Sequence, residues 1–336
     1  MMDKAKKNSI TERSQGVVLV LVLAVIAFWL GRQVPLVGGA VSGILLGILV
    51  RNTAGVRTAF LPGIGFASKR ILQAGIVLIG AGLDLHQIRS AGQASLLVIL
   101  VCILAALAGS AALGRAMRVP SRLRTLIGVG TAICGGTAIV AVSPLIGAKE
   151  EEITYAISTV FLFNIAAVLL FPLAGLLMGM SADTFGLWAG TAIHDTSSVV
   201  AAGYTYSEAA GEAATIVKLT RTLMLVPVAM GIALAGTLGA RGKDKPPAGY
   251  LRRSFPWFVL WFLLLALLQT AGVLPAALVR GLPWAGRFLI IMALTAIGLR
   301  TDFREIAKTG LRPLVLGFLV WVLVLVLSLG VIHLTA

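Results

Sequence analysis

The chain has 336 residues, of which 58% are apolar and 12% charged, and its formal net charge is +15. Soluble domains are about 25% charged, so a water-facing surface over this length is excluded, and the apolar content excludes a disordered chain. Two cysteines are too few for a disulfide scaffold. These values leave a polytopic membrane protein of the all-α class.

The first fifteen residues are polar and basic and precede an apolar run, as in a secretory signal peptide. The run ends in FWLGRQVPL without a small-residue cleavage site, and a second apolar segment follows at once. We therefore predict that residues 1–15 form a cytoplasmic tail. Residues 16–336 are expected to form a single transmembrane domain whose first span is retained.

Apolar runs long enough to cross the bilayer, roughly 20 residues each, predict about eleven transmembrane helices. Their approximate bounds are 16–31, 35–50, 66–83, 92–114, 123–147, 153–179, 185–204, 212–238, 254–273, 282–299 and 312–334. With the amino terminus in the cytoplasm, 21 lysines and arginines fall in cytoplasmic segments and four on the other side. The asymmetry predicts a cytoplasmic amino terminus, a periplasmic or extracellular carboxyl terminus, and no nucleic-acid partner.

Two pairs of segments are similar to each other within the chain. GTAICGGTAIVA at 130–141 is similar to GTAIHDTSSVVA at 190–201, and GAGLDLHQIRSAG at 80–92 is similar to AIGLRTDFREIAKTG at 296–310. The second pair follows predicted spans on opposite sides of the membrane, as an inverted repeat requires. Chance similarity between Gly- and Ala-rich segments is the alternative, because the two pairs have different offsets.

The fifth predicted span contains two adjacent glycines in ICGGTAIVAVSP, residues 133–144. Gly135 and Gly136 can interrupt the helix, and Thr137 can begin a second half-helix whose N–H groups attract an anion. Backbone and hydroxyl groups of these three residues are therefore predicted to contact a substrate. The alternative is that the glycines only permit close packing of a neighbouring helix.

The seventh predicted span contains polar residues near its midpoint, in FGLWAGTAIHDTSSVVAAGY. His194 and Asp195 are followed by hydroxyl residues that compete for backbone hydrogen bonds, which predicts a helix broken where it lines a cavity. Histidine titrates near neutrality, so His194 and Asp195 are predicted to carry a proton-linked or gating step. Thr196 and Ser197 are predicted to add hydroxyl contacts. The alternative for His194 is that it caps a neighbouring carbonyl.

The eighth predicted span carries Lys218 and Arg221 in ATIVKLTRTLMLVP. Residues three apart lie on one face of a helix, and ionisable residues within a span are functional candidates. The pair is predicted to supply fixed positive charge to an anion site. The alternatives are an internal ion pair with Asp195 or Glu212, or contact with lipid phosphate.

Taken together and in this order, ICGGTAIVAVSP, FGLWAGTAIHDTSSVVAAG and IVKLTRTLMLVP resemble the YeiH-type membrane proteins, the UPF0324 family, which is also named for a proposed role in sulfate export. The resemblance extends from about Pro35 to the last span. It implies a bacterial inner-membrane secondary transporter, similar to the cation/proton antiporter and bile-acid-symporter superfamily. Such proteins have two inverted five-helix repeats with discontinuous helices that cross at a midplane site, so the first span would be additional. The chain departs from the family at Ser198, where relatives often have glutamine, and no coordination scheme is drawn through that position.

The residues and the resemblance together predict a transporter of a small anion that works by alternating access. Sulfate, sulfite or a sulfonate is the expected substrate, H+ or Na+ the coupling ion, and the superfamily resemblance alone implies a homodimer. A sodium/proton antiporter that uses Asp195 is one alternative, and a membrane enzyme or assembly subunit without transport is another. Since no Walker motif, metal-ligand spacing or nucleophile motif is present, we expect no cofactor, no metal and no enzymatic activity.

Overall fold

The computed structural model describes residues 2–33, 38–238, 255–304 and 310–335, and within these ranges every regular element is helical. The α-helices are α1 (Met2–Gln33), α2 (Gly38–Thr53), α3 (Leu61–Phe66), α4 (Leu72–Ile79), α5 (Leu85–Ala116), α6 (Ser121–Ala132), α7 (Gly136–Val142), α8 (Glu150–Leu177), α9 (Ala182–Ala192), α10 (Thr196–Tyr206), α11 (Glu208–Leu223), α12 (Leu225–Leu238), α13 (Trp257–Thr270), α14 (Ala276–Arg300) and α15 (Leu311–Thr335). The all-α class predicted from composition is therefore confirmed.

Several described helices are long and apolar enough to cross a membrane, which confirms the polytopic class. They are Arg13–Gln33, Thr58–Gly82, Leu85–Ala116, Glu150–Leu177, Glu208–Ala233, Ala276–Arg300 and Leu311–Thr335. Other predicted spans coincide with shorter apolar helices such as Gly38–Thr53 and Trp257–Thr270, or with broken helices. The number of eleven crossings stays a prediction, because each piece of a broken helix is shorter than the bilayer is thick. The inverted symmetry of the repeats also stays a prediction.

The chain divides into two compact units, and unit 1 consists of Met1–Arg89, Val200–Glu208 and Trp257–Phe303. Within it α2 packs closely against α14. Glycines make this approach possible, since a Cβ atom added at Gly298 would collide with the carbonyl oxygen of Ile44, and one added at Gly47 would lie 2.7 Å from the Leu299 nitrogen. Apolar side chains of α1 and α14 complete the buried core of this unit.

Unit 2 consists of Ser90–Val199, Ala209–Pro256 and Arg304–Ala336. In this unit α6 packs against α8 and α15, and α9 packs against α15. Aromatic rings fill the space between these helices: the centroids of Phe171 and Trp188 are 4.1 Å apart, and those of Phe163 and Trp321 are 5.3 Å apart. The packing of α15 against both α6 and α9 fixes the positions of two helices that end in the middle of the unit.

Side-chain caps fix where two helices of unit 2 begin. At the start of α8 the backbone N–H of Lys149 donates to a carboxylate oxygen of Glu152 at 2.8 Å, and the first turn carries three glutamates that favour the positive end of the helix dipole. At the start of α9 the Ser181 hydroxyl accepts from the Thr184 N–H at 3.2 Å. Because the first residues of α8 and α9 are fixed, the positions of their carboxyl ends within the unit are fixed as well.

Candidate functional site

The first helix break separates α6 from α7. Backbone torsions leave the helical region at Ile133, and Gly135 has φ +66°, a conformation that glycine adopts without the clash of a Cβ atom. A Cβ atom added at Gly136 would meet nothing within 4 Å. The glycine pair therefore opens the helix here, and close packing of a neighbour does not account for Gly136.

The second break separates α9 from α10, at the position predicted from the polar run. Ile193 is extended, and the helix restarts at Thr196. A carboxylate oxygen of Asp195 accepts hydrogen bonds from the backbone N–H of Ser197, at 2.9 Å, and from its hydroxyl. Asp195 is thus the amino-terminal cap of α10, where its negative charge faces the positive end of the helix dipole.

Asn164, on α8, supports the second break from the side. Its side-chain oxygen accepts from the backbone N–H of Asp195 at 3.0 Å and from that of His194 at 3.2 Å. Both donors belong to the non-helical residues of the break and would otherwise be buried without an acceptor. The sequence interpretation missed Asn164, although a single amide within the apolar run FLFNIAAVLLF is the kind of polar residue that a span carries for a reason.

The guanidinium group of Arg221, on α11, joins the two breaks. Its Nε donates to the carbonyl oxygen of Ala132 at 2.7 Å, and one terminal nitrogen donates to that of Thr131. The other terminal nitrogen donates to the carbonyl oxygens of Thr191 and, at 3.3 Å, Ile193. These acceptors are the last carbonyls of α6 and α9 and the residue after α9, which have no partner within their own helices.

The ammonium group of Lys218, one turn earlier on α11, makes the same kind of connection. It donates to the carbonyl oxygen of Ile133 at 2.8 Å and to that of Ile193 at 2.9 Å. Both cations are completely buried. A positive charge at the carboxyl end of a helix also stabilises the helix dipole, so the pair caps two half-helices at once.

The two sets of acceptors come from the same tetrapeptide, GTAI, at 130–133 and at 190–193. Arg221 binds the threonine carbonyl in each copy, and Lys218 binds the isoleucine carbonyl in each copy. The local sequence similarity therefore marks equivalent positions in the two broken helices, and α11 supplies a shared cap for both.

The structure thus brings the predicted cations to the predicted breaks, but with backbone carbonyls as their partners. Within the described residues no carboxylate lies within 4.0 Å of Lys218 or Arg221, so the proposed ion pair with Asp195 or Glu212 is not formed there. Backbone carbonyl dipoles and the more distant Asp195 carboxylate offset the positive charge of the pair. Both side chains are buried, and direct contact of either one with a substrate stays a prediction.

Some residues at the two breaks have exposed surface, unlike Lys218 and Arg221. Thr137 is exposed, Gly136 and Asp195 are half-buried, and Thr196 and Ser197 are buried at the start of α10. A Cβ atom added at Gly135 would lie 3.5 Å from the Cβ of Asp195, so the two breaks are neighbours on this side too. These partly exposed groups, called the opening below, are a hydroxyl, the backbone of a glycine and one carboxylate.

His194 lies apart from this opening. Its ring is 1% exposed and faces the indole of Trp321, with ring centroids 6.4 Å apart. Neither ring nitrogen has a partner with full hydrogen-bond geometry among the described residues, but the backbone of Val160 lies close enough to act on the ring, so the capping alternative stays open. Of the two residues predicted to carry the coupling step, Asp195 is half-buried and His194 is buried beside Trp321.

The long apolar helices, together with the two broken helices whose ends contact buried basic side chains, define a multi-pass helical membrane protein. A family model described as conserved hypothetical protein 698 matches residues 15–317, and the chain belongs to this family. The chain is 38% identical over 335 residues to a UPF0324 membrane protein of Clostridium tetani, covering 95% of this chain and 96% of the relative. It is 41% identical over 322 residues to one of Streptococcus pyogenes, covering 94% and 95%. The family resemblance predicted from the three motifs is confirmed.

Proposed function

We propose that the protein is a secondary active transporter of a small anion, and that the two helix breaks of unit 2 form its substrate site. Sulfate, sulfite or a sulfonate is the proposed substrate class, and transport proceeds by alternating access. The protein is placed in the bacterial inner membrane with its amino terminus in the cytoplasm. We propose no enzymatic activity for the protein.

The observation that carries the proposal is the pair of completely buried basic side chains at the breaks. Lys218 and Arg221 are completely buried and bind only backbone carbonyls within the described chain, while Asp195 is the one carboxylate that caps a break. Two basic side chains face one carboxylate here, and when both carry a proton the net charge is positive in a medium where charge is weakly screened. Such an environment favours an anion over a cation.

The accessible groups suit an oxyanion. Thr137 can donate from its hydroxyl, and the adjacent backbone of Gly136 leaves room for an oxygen atom to approach. The buried cations act on the bound anion through charge, while Thr196 and Ser197 line the start of α10 behind Asp195. Asp195 is the accessible titratable group at the opening, and we propose that it carries the coupling step, with His194 as a buried neighbour.

Flux in proteoliposomes tests the proposal. The purified chain is reconstituted, and uptake of radiolabelled sulfate, sulfite and a sulfonate is measured with and without pH and sodium gradients. We expect saturable uptake of at least one of these anions, reduced several-fold in Thr137→Val. Thr53→Val is the matched control, because Thr53 is also an exposed threonine and its hydroxyl binds its own helix at the Leu49 carbonyl.

Two results would overturn the anion assignment. One is the absence of protein-dependent flux for every oxyanion and sulfonate tested, and the other is equal flux in Thr137→Val and the parent chain. A sodium/proton antiporter is the second candidate, because Asp195 is an accessible carboxylate at the breaks. Proton flux that responds to added sodium and not to added anion would favour that function.

A further inference from the structure

Unit 1 contains a cavity of about 360 Å³ that is built from residues other than those at the helix breaks. The end of α1, the start of α2, the last turns of α10 and the middle of α14 line it. Its polar side chains are Arg32, Tyr204, Thr205, Glu208 and Arg287. The volume falls within the range of about 300–1,000 Å³ that is typical of small-molecule sites.

The cavity carries more positive than negative charge. Arg287 forms an ion pair with Glu208, and its guanidinium group lies 5.9 Å from the ring centroid of Tyr204. Arg32 lies 5.2 Å from the ring centroid of Phe28, and no carboxylate in the described part of the chain lies within 4.0 Å of it. Two guanidinium groups and one carboxylate leave one positive charge in excess.

The rest of the lining is largely apolar and aromatic. Phe28 packs edge-on against Trp284, with centroids 6.5 Å apart, and against Phe288, with centroids 5.9 Å apart. Thr205 lines the same cavity, and its hydroxyl oxygen, which is itself buried, has no hydrogen-bond partner among the described residues. A buried hydroxyl without a partner is unfavourable unless a ligand or water supplies one.

We propose that this cavity binds a small organic anion that has a carboxylate, sulfonate or phosphate-ester head on an aromatic or apolar body. Arg32 and Arg287 hold the head by charge-assisted hydrogen bonds. Phe28 and Trp284 contact the body, and the Thr205 hydroxyl can donate to the ligand once its side chain rotates toward the cavity. Exposed ion pairs contribute little to stability, so Arg287, with 35% of its side chain exposed, can exchange the Glu208 carboxylate for the head group.

Calorimetric titration of the purified full chain with naphthalene-2-sulfonate tests this site. We expect one saturable site per chain and about tenfold or greater weakening of Kd in Arg32→Gln and Arg287→Gln, as for the loss of a charge-assisted hydrogen bond. Glu208→Gln is expected to tighten binding, since it removes the competing carboxylate. Arg280→Gln is the matched control, because Arg280 is an exposed arginine on the same helix and does not line the cavity.

Unchanged affinity in both Arg32→Gln and Arg287→Gln, or equal weakening in Arg280→Gln, would overturn the proposal, because either result indicates partition into detergent or general charge attraction. Arg287→Lys is the control for a Gln variant that fails to fold, because it keeps the positive charge. Its affinity for naphthalene-2-sulfonate is expected to lie between that of the parent chain and that of Arg287→Gln. Competition by phosphatidylglycerol in nanodiscs would identify the head group as that of a lipid. Competition by soluble sulfonates alone would identify a free anion.

Discussion

Lys218 and Arg221 share one acceptor, the carbonyl oxygen of Ile193, at 2.9 Å and 3.3 Å. The same two side chains also bind the end of the other half-helix, so neither break is capped by residues of its own helix alone. This arrangement makes the two cations part of the fold of unit 2. Their removal should therefore change stability before it changes substrate affinity.

Replacing Arg221 with Gln should destabilise unit 2 by about 3 kcal/mol or more, because several buried carbonyls lose a charged donor. Arg221→Lys should recover only part of this loss, since an ammonium group has three N–H donors and cannot replace the four hydrogen bonds of the guanidinium fork. Thermal unfolding of the purified chain measures the effect. Arg280→Lys, at an exposed arginine, is the control and should leave the melting temperature unchanged. Equal melting of Arg221→Gln and the parent chain would contradict the capping role.

The substitution Asp195→Asn should separate the contribution of Asp195 to helix capping from the contribution of its negative charge. Asparagine caps a helix about as well as aspartate, so the free energy of unfolding should change by less than about 1 kcal/mol, whereas Asp195→Ala should lose about 1 kcal/mol. Net positive charge at the breaks rises in the Asn variant, so anion binding should persist and the dependence of uptake on a pH gradient should disappear. Paired measurements of anion uptake and sodium-driven proton flux in one vesicle preparation check this. Loss of anion binding in Asp195→Asn would count against the anion site.

Asn164→Leu should destabilise the protein by about 2–4 kcal/mol, because the backbone N–H groups of His194 and Asp195 lose a buried acceptor. Asn164→Asp keeps an acceptor at the same place, near the start of α10 where the dipole favours negative charge, and should lose less. Thermal unfolding of the two variants gives the comparison. If Asn164→Leu melts at the higher temperature, the amide is not a support of the break.

Gly298→Ala should destabilise unit 1, because the new Cβ atom would collide with the backbone of α2 at Ile44. Gly281 lies on the same helix and has no atom within 4 Å of an added Cβ, so Gly281→Ala should be neutral or stabilising by up to about 1 kcal/mol through helix propensity. Chemical denaturation or thermal melting of the two variants measures the difference. A loss of stability in both variants would mean that propensity or chain conformation, and not the close approach of α2, explains the result.

The sequence predicts the two breaks well because local chemistry causes them. Gly135 and Gly136 allow positive φ and an open turn, and the polar run after His194 contains its own helix cap, Asp195. Both effects depend on a few adjacent residues. For the same reason the family motifs, which contain these residues, are sufficient to identify the family.

The partners of Lys218 and Arg221 are not predictable in the same way. Hydropathy identifies two cations in a span, but it does not show that α11 faces the carboxyl ends of α6 and α9, which are distant in sequence. Asn164 acts 30 positions along the chain from His194, and Arg287 pairs with Glu208 across 79 positions. Such contacts arise from helix packing, so the cavity of unit 1 was not predicted from any motif.

The shared cap of the two GTAI ends also has a mechanical consequence. Displacing either half-helix alone would strip charged donors from buried carbonyls, which is strongly unfavourable. We therefore expect α6, α9 and α11 to move together, with bending confined to the residues beyond the caps. A displacement of one broken helix should therefore displace the other as well.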